Sequence, residues 1–273
     1  VYSLQEWLQL DDPIVVEIIA RRVSTTVVYL NGTRRWFLSQ SNNWADYAKT
    51  TGVAHRQLCE LFYTHGIQTL IQPLMGYDLL SRGQDYLQMA VEQGLAELTT
   101  TAYQNWFHQV QISLTLYGNW SATLMEMGFT QVAASLEQVV EITSHYTKHR
   151  LLLGVFADES LDHIVALAKK ARGGKELLQQ YYGQPVGPVD LIVGSGQPAI
   201  WDLPLLDINK ANLYFLQAPT FCLDKTTLRR IFYDHLYQRT NDDKLYDNLT
   251  PKEWEGLEVL GLGQRTRKGW TPT

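Results

Sequence analysis

The sequence predicts an α/β fold: a single domain with a mostly parallel central sheet and flanking helices. Two observations carry this. Short, β-branched apolar runs alternate with longer stretches of helical periodicity, and the stretches between them are long enough to be crossovers. A chain of 273 residues, 45% hydrophobic and 19% charged, also has the size and ordinary composition to bury one substantial core.

Taken in chain order, the first strand is TTVVYL at 25–30, where threonine and valine favour extended backbone. A helix is predicted over 52–65, followed by the strand QTLIQPL at 68–74. Helices over 81–99 and 101–108 lead to the strand ISLTLY at 112–117. The next pair is a helix over 129–145 and the strand RLLLGVF at 150–156. A long helix over 161–182 ends in the loop YYGQPVGP, rich in glycine and proline, before the strand VDLIVG at 189–194. The strand NLYFLQA at 212–218 and a helix over 225–239 complete a core of about 25–240. Residues 241–273 read as a polar tail with one short helix from Pro251, a place for disorder or partner contact. There is no internal repeat and no low-complexity tract.

The formal charge of -5 leaves no electrostatic footprint for nucleic acid. Cys59 and Cys222 are too few for a disulfide framework and lack metal-site spacing, so they read as reduced core residues of a cytoplasmic protein. The segment VYSLQEWLQLDDP has no basic region ahead of an apolar block, and no apolar run is long enough for a bilayer, so neither export nor membrane insertion is expected. The acceptor patterns NGT, NWS and NLT are chance matches in such a compartment.

The segment LNGTRRWF carries the chemistry. At the carboxyl end of a first strand, an Asn-Gly turn frees backbone N–H groups and two arginines follow it into the crevice where open parallel sheets bind ligands. Backbone donors and two guanidinium forks suit a diphosphate. From pattern alone, surface arginines paired with nearby acids fit equally well.

LNGTRRWF resembles the Asp-Gly-Asn-x-Arg-Trp-Ala signature of the cis-prenyltransferases, the undecaprenyl diphosphate synthase group. It is more similar still to the tuberculosinol synthase type of diterpene synthase, with which the chain also shares the style of LFYTHGIQTLI (61–71), DLLSRG (78–83), HRLLLGVF (149–156) and TTLRRIFYDHLY (226–237). The resemblance runs from about Thr25 to Arg239 and implies a cis-prenyltransferase-like fold, a homodimer and a prenyl diphosphate substrate. It also implies a diphosphate loop of Gly32, Thr33, Arg34 and Arg35, while the family's aspartate is Asn31 here. In the family that carboxylate serves magnesium and the leaving diphosphate. The neutral carbonyl of Asn31 is a poorer ligand for a hard cation, so the implied Mg2+ is more weakly held.

A second departure lies at GSGQPAIWDLPLL (194–206), where chain-elongating members carry two arginines for a second diphosphate. Without that countercharge, condensation of two diphosphates is disfavoured, and Ile200 and Trp201 suit an apolar skeleton instead. What remains is a site for one prenyl diphosphate, expected to be diterpenyl, whose loss of diphosphate leaves an allylic cation. Tyr47, in WADYAK, matches a family tyrosine at the ionisation site and is expected to orient the nucleophile. Tyr77 and Asp78, just past the second strand, join Trp201 as candidate substrate contacts.

Other patterns carry less. GSGQPA lacks the third glycine and following helix of a dinucleotide loop. DLLSRG lacks the paired acids of an aspartate-rich magnesium motif, and HYTKHR offers two histidines with no third ligand, so no metal-ligating residue is assigned. TTLRR, from Thr226, reads as a helix cap and dimer contact. Two functions follow: an enzyme that ionises one prenyl diphosphate to a terpene alcohol, olefin or adduct, or a non-catalytic accessory subunit of a cis-prenyltransferase-like heteromer. The arginine pair favours the first and Asn31 the second.

Overall fold

A computed structural model describes residues 2–41, 43–157 and 161–239, with the backbone of 263–265 and 270–272. Its centre is a parallel sheet of six strands: β1 (Thr25–Val28), β2 (Thr69–Met75), β3 (Ile112–Tyr117), β4 (His149–Val155), β5 (Leu191–Ser195) and β6 (Asn212–Leu216). They lie in the order β3-β4-β2-β1-β5-β6 and every neighbouring pair is parallel. Each predicted strand is present, with no end shifted by more than two residues. The first is shorter than predicted, although the Tyr29 N–H still donates to the Val193 carbonyl at 2.8 Å.

Period-two alternation divides the core between the two sheet faces. Val28 with Leu70, Leu114, Leu151, Leu153, Leu191 and Val193 packs into the larger cluster, which is covered by most of the helices. Val27, Tyr29, Ile71, Leu152 and Ile192 face a smaller cluster closed by Tyr117, Tyr181 and Tyr182. The functional site lies on the first of these faces.

The helices in chain order are α1 (Leu4–Gln9), α2 (Asp12–Ala20), α3 (Thr33–Gln40), α4 (Tyr47–Tyr63), α5 (Gln84–Met89), α6 (Thr101–Val110), α7 (Trp120–Glu126), α8 (Thr130–Thr143), α9 (Leu161–Ala168), α10 (Gly174–Tyr182) and α11 (Lys225–Tyr233). Several differ from the sequence expectation. Ahead of Thr25, α1 starts with a capping box in which Ser3 and Glu6 satisfy each other's backbone N–H groups. Trp7, Val15 and Ile19 from these two helices are fully buried. The buried guanidinium of Arg229, on α11, donates to the Leu8 and Leu10 carbonyls at 3.1 and 2.8 Å and to Asp12 at 2.6 Å, which fastens the amino-terminal helices to α11.

The segment predicted as one helix over 81–99 is four short pieces: a 3-10 turn (Tyr77–Arg82), α5, a π-helical stretch (Ala90–Leu95) and a second 3-10 turn (Ala96–Thr99). Gly83, at φ +95°, ends the first piece. The helix predicted over 161–182 is split into α9 and α10 by the glycine pair Gly173-Gly174. The helix predicted over 225–239 turns π-helical at Asp234–Gln238, and its cap is Asp224, which accepts from the Thr227 N–H at 2.7 Å, rather than a threonine. Cys59 is buried as expected, whereas Cys222 is exposed because it closes a 3-10 turn (Thr220–Cys222) beyond the sheet. The short helix predicted from Pro251 lies outside the described residues. Residues 263–265 and 270–272 form a separate antiparallel pair. Among the described residues no helix is long and apolar enough to cross a membrane.

Candidate functional site

The chain leaves β1 at the carboxyl edge of the sheet and turns directly into α3. Gly32 makes that turn at φ +76°, and a Cβ there would stand 3.1 Å from both the Arg35 guanidinium and Pro219. Only glycine fits this left-handed and crowded position. Its carbonyl accepts from the Trp36 N–H at 2.9 Å, so Thr33, Arg34 and Arg35 form the first helical turn, whose N–H groups have no partner four residues back. The arginine pair thus sits at a helix amino terminus, where the dipole and free donors already favour an anion.

Asn31 joins this edge together. Its side-chain carbonyl accepts from the Ser195 N–H at 3.3 Å, and its backbone carbonyl accepts from the Ser195 hydroxyl at 3.3 Å and the Thr220 N–H at 3.1 Å. Just past β2, the carboxylates of Asp78 and Asp202 each come within 3.1 Å of the position a Gly76 Cβ would take. Asp78 also pairs with Arg82. Among the described residues, no group of three or more acidic, histidine or cysteine side chains converges as a metal cage would require.

Behind the loop lies a cavity of about 210 Å³, lined by Leu30, Thr33, Tyr47, Leu79, Tyr86 and Phe221 near α3 and by Gly52, His55, Leu95, Glu97 and Tyr103 deeper in. Tyr47 is the first residue of α4, because Asn43 caps the 3-10 turn Trp44–Asp46 and starts the helix five residues ahead of the expected Gly52. Its hydroxyl lies 3.2 Å from that of Thr33, and its ring packs edge-on against Phe37 at 5.1 Å. Burial pushes the Tyr47 phenol upward, against the smaller effect of Thr33, so it is a neutral hydrogen-bonding group at physiological pH.

The predicted residues are therefore not all in one place. Gly32, Thr33, Arg34, Arg35 and Tyr47 gather at the cavity mouth, with Asn31 beside them at the β5 edge. Tyr77 packs on Phe156, with ring centroids 5.4 Å apart, and neither it nor Asp78 lines the cavity; their neighbour Leu79 does. Trp201 requires correction as a contact for the apolar skeleton. It stacks on Tyr29 at 4.0 Å, and its backbone brackets the Tyr29 hydroxyl, which donates to the Trp201 carbonyl at 2.7 Å and accepts from its N–H at 2.9 Å. Since Tyr29 points to the smaller cluster, Trp201 is held on the sheet face away from the cavity.

Sequence reasoning missed Tyr86. Its ring lies under two guanidiniums, Arg34 at 5.0 Å and Arg82 at 5.6 Å, a cation–π arrangement that aims positive charge at the mouth. No local pattern marks it, because it comes from the broken segment after β2. It also missed the polar group farther in, where His55 bonds to the Tyr103 hydroxyl at 2.7 Å and to the Gln72 carbonyl oxygen at 2.6 Å.

A parallel sheet whose first strand delivers a basic helix amino terminus to an apolar cavity has the architecture of a cis-prenyltransferase. The fold matches a probable undecaprenyl diphosphate synthase from Campylobacter jejuni with a TM-score of 0.57 at 17% identity, covering 78% of this chain and 95% of that one. In sequence, the chain is 32% identical to tuberculosinyl adenosine transferase of Mycobacterium tuberculosis over 248 residues, 87% of this chain and 83% of that protein. It is 24% identical to (+)-kolavelool synthase of Herpetosiphon aurantiacus over 265 residues, 90% and 89% of the two chains. No protein-family model matches the chain. The chain belongs to the family of tuberculosinyl adenosine transferase and has the fold of undecaprenyl diphosphate synthase.

Proposed function

We propose that this protein ionises one prenyl diphosphate of diterpenyl size, releasing diphosphate and converting the allylic cation to a terpene alcohol, olefin or adduct. The observation that carries this reading is the joining of Arg34 and Arg35, at the first turn of α3, to an apolar cavity whose mouth holds Tyr47. The anionic head would lie against the α3 amino terminus and the guanidiniums, and the hydrocarbon would occupy the cavity. Charge-assisted hydrogen bonds favour the leaving group as its charge develops, which lowers the barrier to ionisation. The rings of Tyr47, Tyr86 and Phe221 line the space where an allylic cation would form, and aromatic faces stabilise such a charge. The Tyr47 hydroxyl, coupled to Thr33, would orient the incoming nucleophile. An accessory subunit has no need of such a pocket.

Magnesium is the ion of this family. The residues that would hold it are Asp78, which also pairs with Arg82, and Asp202, whose carboxylates both lie beside Gly76, in the mode in which magnesium takes one or two carboxylates and completes its shell with phosphate oxygens and water. Its contribution would be to neutralise charge on the departing diphosphate. The family likeness also supports a homodimer built on β6, an outer strand of the sheet, and on α11. A cytoplasmic setting agrees with the reduced state expected of Cys59 and the exposed Cys222.

The direct test is incubation with geranylgeranyl diphosphate and with bicyclic diterpenyl diphosphates, measuring pyrophosphate and identifying the hydrocarbon products. Release of pyrophosphate with a terpene product is expected. No release from any of them, with the protein folded, would overturn the reading.

A further inference from the structure

The cavity has a second polar pole. Along α4, the residues that line it are Tyr47, Ala48, Thr51, Gly52 and His55, one stripe of the helix that leads inward from the mouth. At 1.5 Å per residue, Gly52 is about 8 Å and His55 about 12 Å beyond Tyr47. A glycine in a helix interior costs about 1 kcal/mol relative to alanine, and Gly52 stands well inside α4. Its surroundings give the reason: a Cβ there would come within 3.1 Å of the Glu97 side chain, at both Cγ and Oε1, and within 3.3 Å of the Tyr103 ring. The missing side chain lets Glu97 lie against the helix, and Glu97 is the one carboxylate among the described residues lining the cavity.

We propose that Glu97 is the proton acceptor that ends the reaction, giving the enzyme an olefin product by deprotonation of a carbocation at the end of the cavity far from Tyr47. This rests on the prenyl diphosphate reading above. After ionisation at the mouth, ring closure or hydride shift carries the positive charge inward. A C–H bond next to the cationic carbon then breaks, its electron pair forms the new C=C bond, and the proton goes to a Glu97 carboxylate oxygen. No other reactant is required. The groups around Glu97 suit this role. Because the Gln72 oxygen can only accept, His55 Nε2 carries the ring proton, and Nδ1 accepts from the Tyr103 hydroxyl. Burial lowers His55 to about 4 and pushes Tyr103 upward, so both are neutral neighbours that hold the wall in place. Arg56 lies over the Tyr103 ring at 4.6 Å.

The test compares the wild-type protein with Glu97→Gln and Gly52→Ala, using geranylgeranyl diphosphate and bicyclic diterpenyl diphosphates as probes and following pyrophosphate release and product composition together. The wild type is expected to yield olefin. Glu97→Gln, nearly isosteric, should lower the olefin-to-alcohol ratio at least tenfold, because water then captures the cation. Gly52→Ala, which displaces Glu97 without removing it, should shift the ratio in the same direction, and an unchanged melting temperature in both variants would exclude a general loss of fold. Alcohol as the sole wild-type product, or an unchanged ratio in Glu97→Gln, would overturn the assignment while leaving the prenyl diphosphate reading intact. Absence of pyrophosphate release from the wild type would remove the underlying reading and the assignment with it.

Discussion

At the scale of single residues, charge and hydrogen bonding decide what can be changed. Replacing Arg34 or Arg35 with alanine should lower kcat/KM for pyrophosphate release by at least about 2 kcal/mol, the scale of one charge-assisted hydrogen bond, and lysine should restore only part because it lacks the fork. Asn31→Asp is a structurally mild change, since a carboxylate still accepts the Ser195 N–H. It adds an anionic oxygen ligand, so turnover and its dependence on magnesium should both rise while the product skeleton stays the same. Slower turnover at every magnesium concentration would instead show charge repulsion of the diphosphate. His55 predicts a pH effect on stability. Its ordinary value of 6.5 falls to about 4 in the folded protein because it is buried. Between those values the unfolded chain binds a proton that the folded chain excludes, so stability is full above pH 6.5 and is lost as pH falls toward 4. The loss from His55 is on the order of 3 kcal/mol. Urea unfolding at pH 7 and 4.5 should show it, with a smaller difference in His55→Asn.

At the scale of elements, Arg229 is the informative position. Arg229→Ala would leave the Leu8 and Leu10 carbonyls and Asp12 without their shared donor, and should destabilise the protein by about 3 kcal/mol. Proteolysis should then cut first within α1 and α2. Those two helices show how legibility varied along the chain. The Ser3-x-x-Glu6 capping box was passed over in the sequence, because two short helices carry too few turns for periodicity to register. The first five strands in chain order, β1 to β5, were legible because each is a compact apolar run buried on both faces, and β6 because it is a short apolar and aromatic run between polar loops. The stretch from Tyr77 to Thr99 was not, since the choice between α, 3-10 and π geometry depends on packing around the cavity and not on local propensity. At the site, LNGTRRWF was readable as a loop at a strand end, whereas Tyr86 and Glu97 reach the cavity only through that irregular segment. Trp201 was misplaced because sequence alone does not say which sheet face a loop residue will cover.

At the scale of the whole molecule, β6 is an outer strand of the sheet, and the exposed Leu213 lies on it. Sedimentation at micromolar concentration is expected to show a dimer, and Leu213→Lys should weaken it; a monomer at that concentration would count against this interface. The strand order has another consequence, for how the molecule is made. Asn31 and Ser195 meet across the β1–β5 edge although they are 164 residues apart in the chain. At 5–20 residues per second, a ribosome needs roughly 10–30 s to deliver the second partner after the first. Throughout that interval β1 has only β2 beside it, and its other apolar edge is open to any chain it meets. The loop of Asn31 to Arg35 therefore takes shape among the last parts of the protein to do so, although it is among the first synthesised, and expression should depend on chaperones that shield an unfinished sheet.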